Sequence, residues 1–127
     1  MNYEEMIQTE TGRGQLQDAL HRRMSQVSPK VVNEEMDIPT ARVVSCADHR
    51  SDGGRALEKM RAGQWKPIEV GEVWIGNQVY YVPTEGNHRA EAARTLGVES
   101  IRAKVLTRTW LQEKSVDVRK NRDWKGS

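Results

Sequence analysis

The chain has 127 residues, a size that suits a single domain. Charged residues make up 30% of it and hydrophobic residues 36%, and no apolar run approaches the roughly 20 residues that span a bilayer. The net charge of +2 is too small to indicate a nucleic-acid partner by itself.

The cysteine content and the N-terminus bear on the compartment. Cys46 is the only cysteine, so no internal disulfide can form, which fits a reducing environment. The first residues lack the basic start and apolar stretch of a signal peptide. We therefore expect a cytoplasmic protein. Cys46 and His49 supply at most two metal ligands, so a structural zinc site, which needs about four, is not expected.

The N-terminal third predicts one helix and one strand. Apolar residues at helical spacing indicate a helix over 14–27, which ends before Pro29 because proline cannot continue a helix. Residues 1–12 are polar and are expected at the periphery. A first strand is predicted over Ile38–Val44, preceded by an acidic turn.

The middle of the chain predicts a short helix and a β-hairpin. The helix spans Arg55–Ala62 and stops at Gly63. A strand over 67–75, with a bulge at Gly71, leads into the turn Gly76-Asn77, and residues 79–82 return as its partner.

A last helix and strand complete the pattern. Asn87 is predicted to cap a helix over His88–Leu96 that ends at Gly97, and Ile101–Val105 alternates as a half-buried strand. We predict a small α+β domain, a mixed sheet with a hairpin and packed helices plus an extra N-terminal helix. The predicted organisation is a helical extension (1–35), a core (36–106) and a basic tail (107–127).

The junction between the hairpin and the last helix carries the clearest chemistry, in the motif Gly86-Asn87-His88-Arg89. Amide groups at a helix N-terminus carry partial positive charge and point outward at an anion. Arg89 adds a bidentate phosphate contact, His88 a further hydrogen bond, and Gly86 removes the side chain that would block approach to the backbone. The motif predicts a phosphate-binding loop; a solvated helix start is the alternative.

The residues around this motif resemble the nucleotide-binding core of the ParB/sulfiredoxin superfamily. The resemblance covers residues 64–105 continuously and 36–105 more loosely. It consists of a proline–isoleucine strand entry, a tyrosine-bearing strand, a glycine-led basic helix start and a short final strand: Pro67-Ile68, Tyr80-Tyr81-Val82, Gly86-Asn87-His88-Arg89 and Ile101–Val105.

The resemblance implies that Gly86, Asn87, His88 and Arg89 bind a nucleoside triphosphate, ATP or CTP, with Mg²⁺. Members of the superfamily include hydrolases, kinases, sulfinic acid reductases and proteins described as nucleases, so fold does not determine activity. Sulfiredoxins carry a reactive cysteine where this chain has Asn87, so sulfinic acid reduction is not expected. Only 22 residues follow Val105, so we do not expect the further domains of a ParB clamp.

Other residues are candidates for the same cleft. Glu85 is a candidate catalytic or magnesium-orienting carboxylate, although a helix dipole alone favours a carboxylate there. The resemblance places Arg50, Arg55 and Lys59 near the nucleotide, and surface solvation is the alternative for each. Trp65, Trp74, Tyr80 and Tyr81 either stack on a base or fill the core.

A DNA-linked role is the weaker extension of this hypothesis. Between Arg108 and Lys125 lie six basic and three acidic residues, a net +3. Arg102, Lys104, Arg108 and Lys114 are the candidate DNA contacts, and they predict sequence-independent, salt-sensitive binding. The alternative function is a non-catalytic interaction or inhibitor protein of a mobile element, which contacts a protein partner through the N-terminal helix or the C-terminal tail.

Overall fold

The computed structural model describes residues 3–46, 53–116 and 118, with the backbone alone for 53–56. Helices and strands are mixed along the chain, which confirms the α+β class. In order they are α1 (Tyr3–Met6), α2 (Glu10–Met24), β1 (Lys30–Pro39), α3 (Gly53–Arg61), β2 (Ile68–Ile75), β3 (Gln78–Glu85), α4 (Asn87–Leu96) and β4 (Ser100–Leu111), with 3-10 turns at Thr40–Arg42 and Glu113–Ser115. None of the helices in these described ranges is long and apolar enough to cross a membrane.

The four strands form one mixed sheet in the order β1-β4-β2-β3. The predicted hairpin is confirmed: β2 and β3 pair antiparallel around Gly76, whose φ of +62° suits the tight turn. β4 lies between β1, to which it is antiparallel, and β2, to which it is parallel. The sheet therefore runs from Lys30 to Leu111, beyond both ends of the predicted 36–106 core.

The predicted first strand, Ile38–Val44, is wrong beyond Pro39. The strand instead spans Lys30–Pro39, and the chain then turns through Thr40–Arg42. Proline has no N–H to donate to a ladder, so it ends the pairing. Val43 and Val44 are apolar because they are fully buried beside β3, where the Val44 amide donates to the Tyr81 carbonyl (2.8 Å).

The residues before α2 are not peripheral, which corrects a second prediction. Tyr3 and Ile7 are buried and belong to the core that α2 forms with the sheet. α2 begins at Glu10, earlier than predicted, because the Thr9 hydroxyl accepts a hydrogen bond from the Gly12 amide (3.0 Å) and caps it. It ends at Met24, since Ser25 occupies the C-cap position.

Two apolar clusters cover the sheet. Val70 and Val73 are three residues apart on β2 and therefore point to opposite faces. Val73 belongs to the cluster with α1 and α2, and Val70 to the cluster with α3 and α4. The β2–β4 register shifts between Val70 and Gly71, where a bulge was predicted, and the extra residue is Leu106 on β4.

A buried ion pair joins the two helical layers. Arg13 on α2 is 6% exposed, and its guanidinium donates to Glu91 of α4 (3.1 Å). The same guanidinium donates to the Ser45 carbonyl (2.9 Å) and the Ile7 carbonyl (3.1 Å), while the Ser45 hydroxyl donates to Glu91 (2.7 Å). Arg94 also contacts Glu91 (3.0 Å). One buried arginine thus links the N-terminal turn, the segment after the 3-10 turn and α4.

We expect Arg13→Met to lower the free energy of unfolding by about 3–5 kcal/mol. The substitution keeps an apolar stem but leaves the Glu91 charge in a poorly solvated position with one partner fewer. Urea unfolding followed by circular dichroism measures the change.

The matched control is Arg102→Met, which removes an ion pair with Glu35 and Asp37 on the exposed face of the sheet. Exposed pairs contribute little to stability, so this variant should unfold close to wild type. Equal decreases in the free energy of unfolding would show that the Arg13 network stabilises the fold no more than an exposed ion pair does.

Candidate functional site

The loop between β3 and α4 has a backbone that glycine alone accommodates easily. Gly86 has φ +101° and is the N-cap of α4, with no side-chain hydrogen bond capping the helix. A Cβ at this position would lie 2.5 Å from Cγ2 of Ile68 and 2.9 Å from Nη2 of Arg89. The loop therefore passes directly over Ile68, and both the backbone dihedral and the packing require glycine.

Asn87 is not the N-cap of α4, which corrects the prediction. It is the first helical residue, and its side-chain oxygen accepts a hydrogen bond from Gln17 of α2 (3.1 Å). Gly86 is the N-cap instead, because it immediately precedes the helix and its φ of +101° is not helical. The predicted end of the helix at Gly97 is confirmed, with φ +71°.

The first turn of α4 offers donors on the surface. Helix geometry leaves the first amide groups without intrahelical partners, and the Ala90 amide is the first to bond back, to the Gly86 carbonyl (3.0 Å). Asn87, His88 and Arg89 are all partly exposed. The helix dipole adds partial positive charge at this end. The arrangement suits an anion.

Arg89 extends from this turn towards the start of β2. Its Nη2 donates to the Pro67 carbonyl (3.2 Å) and lies beside Gly86. Its Nε is buried and has no hydrogen-bond partner among the described residues. Arg89 as a whole is partly exposed, so the guanidinium held beside the loop can donate further hydrogen bonds to an anion there.

α2 lies along the other side of the loop, in a register that the sequence analysis missed. Three α2 residues, each four positions after the last, contact residues that are each four positions earlier in the chain. The pairs are Arg13 with Glu91, Gln17 with Asn87, and His21 with the Pro83 carbonyl (3.3 Å). The signal is visible in the sequence only as polar residues interrupting the apolar face of α2, where polar groups need partners.

Cys46 lies close to the loop through Gln17, to which its thiol donates a hydrogen bond (3.0 Å). Burial, with nearby Asp18, Glu91 and Glu10, raises the pKa of Cys46 to about 11. The thiol is therefore protonated at neutral pH, and the thiolate is the reactive form. His49, the other potential metal ligand near Cys46 in sequence, lies outside the described residues. Within the described residues, no group of three or more metal-binding side chains occurs.

The remaining predicted nucleotide contacts fall into three groups. Arg50 lies outside the described residues, and Arg55 is in α3 but its side chain is not described. Lys59 is exposed on α3, which packs beside α4. Glu85 is exposed at the end of β3, immediately before Gly86.

Glu85 has a second carboxylate opposite it. The β2–β3 register pairs Glu85 with Glu69, and the extra β3 residue at this point, Thr84, donates through its hydroxyl to the Glu69 carbonyl (3.3 Å). Like charges directly opposite each other in a sheet are unfavourable unless a cation offsets them. Sequence reasoning missed Glu69, since only the register brings it to the loop.

The predicted DNA contacts lie on β4 and beyond it, and two of them are ion-paired. Arg102 bonds Glu35 (3.0 Å) and Asp37 (3.5 Å), and Arg108 bonds Glu72 and Glu34. Lys104 and Lys114 are exposed. The acidic residues expected in a solvated turn therefore belong to β1 and neutralise neighbouring arginines.

The aromatic residues separate clearly by exposure. Tyr80 and Tyr81 are buried, so they belong to the core. Trp74 is partly buried and donates to Glu72 (2.7 Å). Trp65 is 41% exposed and Trp110 60% exposed. Of the four residues considered for base stacking, Trp65 is the most exposed.

A separate open groove of about 460 Å³ lies at the other end of β3. It is lined by the hairpin turn and by Tyr3, Glu4, Tyr80 and Glu113. Glu4 is already occupied there, because it accepts hydrogen bonds from Arg42 and from the Tyr80 hydroxyl. The length of β3 separates this groove from Gly86 by roughly 23 Å. It does not contribute to the Gly86 loop.

Comparisons with known proteins concern the fold. The structure is similar to the crystal structure of sulfiredoxin from Arabidopsis thaliana, with a TM-score of 0.46 and 21% sequence identity, over 60% of this chain and 88% of that one. No protein-family model and no curated protein matches the chain.

We expect Gly86→Ala to destabilise the fold by about 1–3 kcal/mol more than Gly97→Ala. Both positions have positive φ and share that conformational cost. A Cβ at Gly97 meets nothing within 4 Å, whereas one at Gly86 overlaps Ile68, which adds the cost of overpacking. Urea denaturation of both variants measures the difference, and equal losses would contradict the close approach.

We expect the native Cys46 thiol to titrate with a pKa of about 11. Iodoacetamide should modify it at pH 8 on the order of 100-fold more slowly than in the urea-unfolded chain, whose thiol has a pKa of about 8.5. The folded pKa lies above the unfolded one, so folding favours the protonated thiol. That stabilisation is complete below about pH 8.5 and is lost as the pH rises through 11. A native pKa near 8.5 would contradict the buried placement.

Proposed function

We propose that the chain binds a nucleoside triphosphate, with its phosphates against the first turn of α4 at Gly86, Asn87, His88 and Arg89. The observation that carries the proposal is the αL glycine that opens the helix without a side-chain cap. A capping side chain would compete with an anion for the first amides, and none does so here. The open helix end therefore favours a ligand rather than a purely structural start.

Arg89 supports the same conclusion. Its Nη2 contact with the Pro67 carbonyl holds the side chain beside the loop, and its Nε lacks a partner among the described residues. The residue is partly exposed, so other N–H groups of the guanidinium can donate to a phosphate oxygen at the loop. The fixed guanidinium also loses less side-chain entropy on binding than a freely rotating one.

The residues present fit a magnesium ion that arrives with the nucleotide. Mg²⁺ is usually held by one or two carboxylates together with substrate phosphates. Glu85 and Glu69 provide two carboxylates opposite each other at the edge of the loop. When bound, the ion would offset their charges and those of the phosphates. Hydrolysis or phosphate transfer with Glu85 as the catalytic carboxylate remains a prediction, as does the choice between ATP and CTP.

A DNA-linked role remains a prediction of lower weight. Arg102 and Arg108 already have carboxylate partners, so binding DNA phosphates through them would require breaking those ion pairs. Lys104 and Lys114 are exposed, and neither has a carboxylate partner among the described residues.

A protein-binding role is the second candidate function. Trp110 is 60% exposed on β4, and its register partner on β2 is Trp74. Exposed aromatic residues are enriched at protein interfaces. This role becomes the better supported one if the purified protein binds no nucleotide.

We expect Arg89→Ala to weaken nucleoside triphosphate binding by about 1.5–3 kcal/mol, roughly 10- to 150-fold, because it removes a charge-assisted contact. Isothermal titration with ATP, CTP and GTP, with and without Mg²⁺, measures the affinity.

The control is Arg102→Ala, which removes the same charge from the exposed face of the sheet and should bind like wild type. Equal weakening in both variants would indicate attraction by overall charge instead of a site. Absence of binding to wild-type protein would overturn the proposal.

A further inference from the structure

We infer that Trp65 is the platform on which the nucleobase of the bound nucleotide stacks, so the site selects nucleotides over phosphate chains alone. The inference rests on the proposed function at Gly86–Arg89 and adds a second half to that site. Trp65 is the most exposed of the four candidate stacking residues, at 41%. Trp74 is partly buried, and Tyr80 and Tyr81 are in the core.

Trp65 lies in a short segment that is exposed yet anchored at both ends. Every residue from Arg61 to Lys66 is exposed. At one end, Gly63 adopts φ +82° and the Gln64 amide donates to the Lys59 carbonyl (2.9 Å), which closes the C-terminus of α3. At the other end, the Pro67 carbonyl is bound by Arg89. The backbone on both sides of the tryptophan is therefore held.

The anchor at Pro67 is also what places Trp65 beside the phosphate loop. Arg89, the proposed phosphate ligand, donates to the Pro67 carbonyl (3.2 Å). Trp65 is two residues earlier, so its Cα lies within about 7 Å of the Pro67 Cα. A nucleotide whose phosphates contact the first turn of α4 therefore has its base within reach of Trp65.

An exposed indole ring on an anchored backbone segment suits a base of any type. Aromatic stacking tolerates every base because each has a π face. Lys59 and Lys66 flank the segment and are exposed, so they add positive charge near the phosphates. We therefore expect ATP, CTP and GTP to bind within a few-fold of one another, and all of them to bind more tightly than tripolyphosphate.

The test compares ligands with and without a base. Wild type, Trp65→Ala, Trp65→Phe and Arg89→Ala are titrated by calorimetry with ATP and with inorganic tripolyphosphate, each with Mg²⁺. Trp65→Ala should bind ATP roughly 5- to 150-fold more weakly, the range that stacking supports, and tripolyphosphate unchanged. Trp65→Phe should recover most of the ATP affinity. Arg89→Ala should lose affinity for both ligands.

Trp110→Ala is the matched control, because Trp110 is exposed at the far end of the sheet, paired in register with Trp74 near the hairpin turn. It should bind both ligands as wild type does. Thermal unfolding of each variant confirms that the exposed substitutions leave the fold intact.

The outcomes separate the two proposals. If wild type binds ATP and tripolyphosphate equally and Trp65→Ala changes neither, the stacking inference fails while the phosphate site stands. If Trp65→Ala weakens both ligands alike, Trp65 acts on the loop and not on the base, which also overturns the inference. If wild type binds neither ligand, the proposed function and the inference fail together.

Discussion

The buried guanidinium of Arg13 is the interaction on which the rest of the molecule depends. Arg13 is only 6% exposed, so its N–H groups need partners inside the protein, and Ile7, Ser45 and Glu91 accept three hydrogen bonds from it. These partners belong to the N-terminal turn, the segment after the 3-10 turn, and α4. A charge that is costly to bury therefore specifies how three distant parts of the chain meet, in the way that buried polar groups can favour a unique arrangement over looser apolar packing.

The orientation of α4 follows from this constraint. From Arg13, the contacts of α2 continue through Gln17 to Asn87 and through His21 to Pro83, so one side of the loop is held by a single rigid helix. On the other side, Arg89 reaches across Gly86 to Pro67. The helix N-terminus is fixed from both directions before any ligand arrives. Preorganised donors lose little entropy when they bind, which is the condition under which a few amides and one guanidinium give useful affinity.

The hairpin and α4 were predictable because their signals are local. Gly76 and Gly97 adopt positive φ values that few other residues tolerate. The turn and the helix end that they mark can therefore be predicted from neighbouring residues in the sequence alone. β1 was not predictable in the same way. Most of its side chains are exposed, and its polar residues are compatible with a strand because arginines of β4 pair with them. The carboxylate pair of Glu69 and Glu85 likewise depends on strand register, and Thr9 becomes a cap only once the helix behind it exists. The Gly86–Arg89 loop could be named as a candidate site from sequence, whereas its contacts with α2 depend on the tertiary structure.

The position of β4 in the sheet has a consequence for how the chain is made. β4 is synthesised after β1, β2 and β3, yet it lies between β1 and β2 and pairs with both. Until it emerges, β1 has no neighbour, and its partners in β4 are about 70 residues away in sequence. Pairings of such long range are slow to close because the loop entropy is lost before the contacts form. We expect the nascent chain to hold only the β2–β3 hairpin and local helices on the ribosome, and the sheet to close in one late step around its own centre.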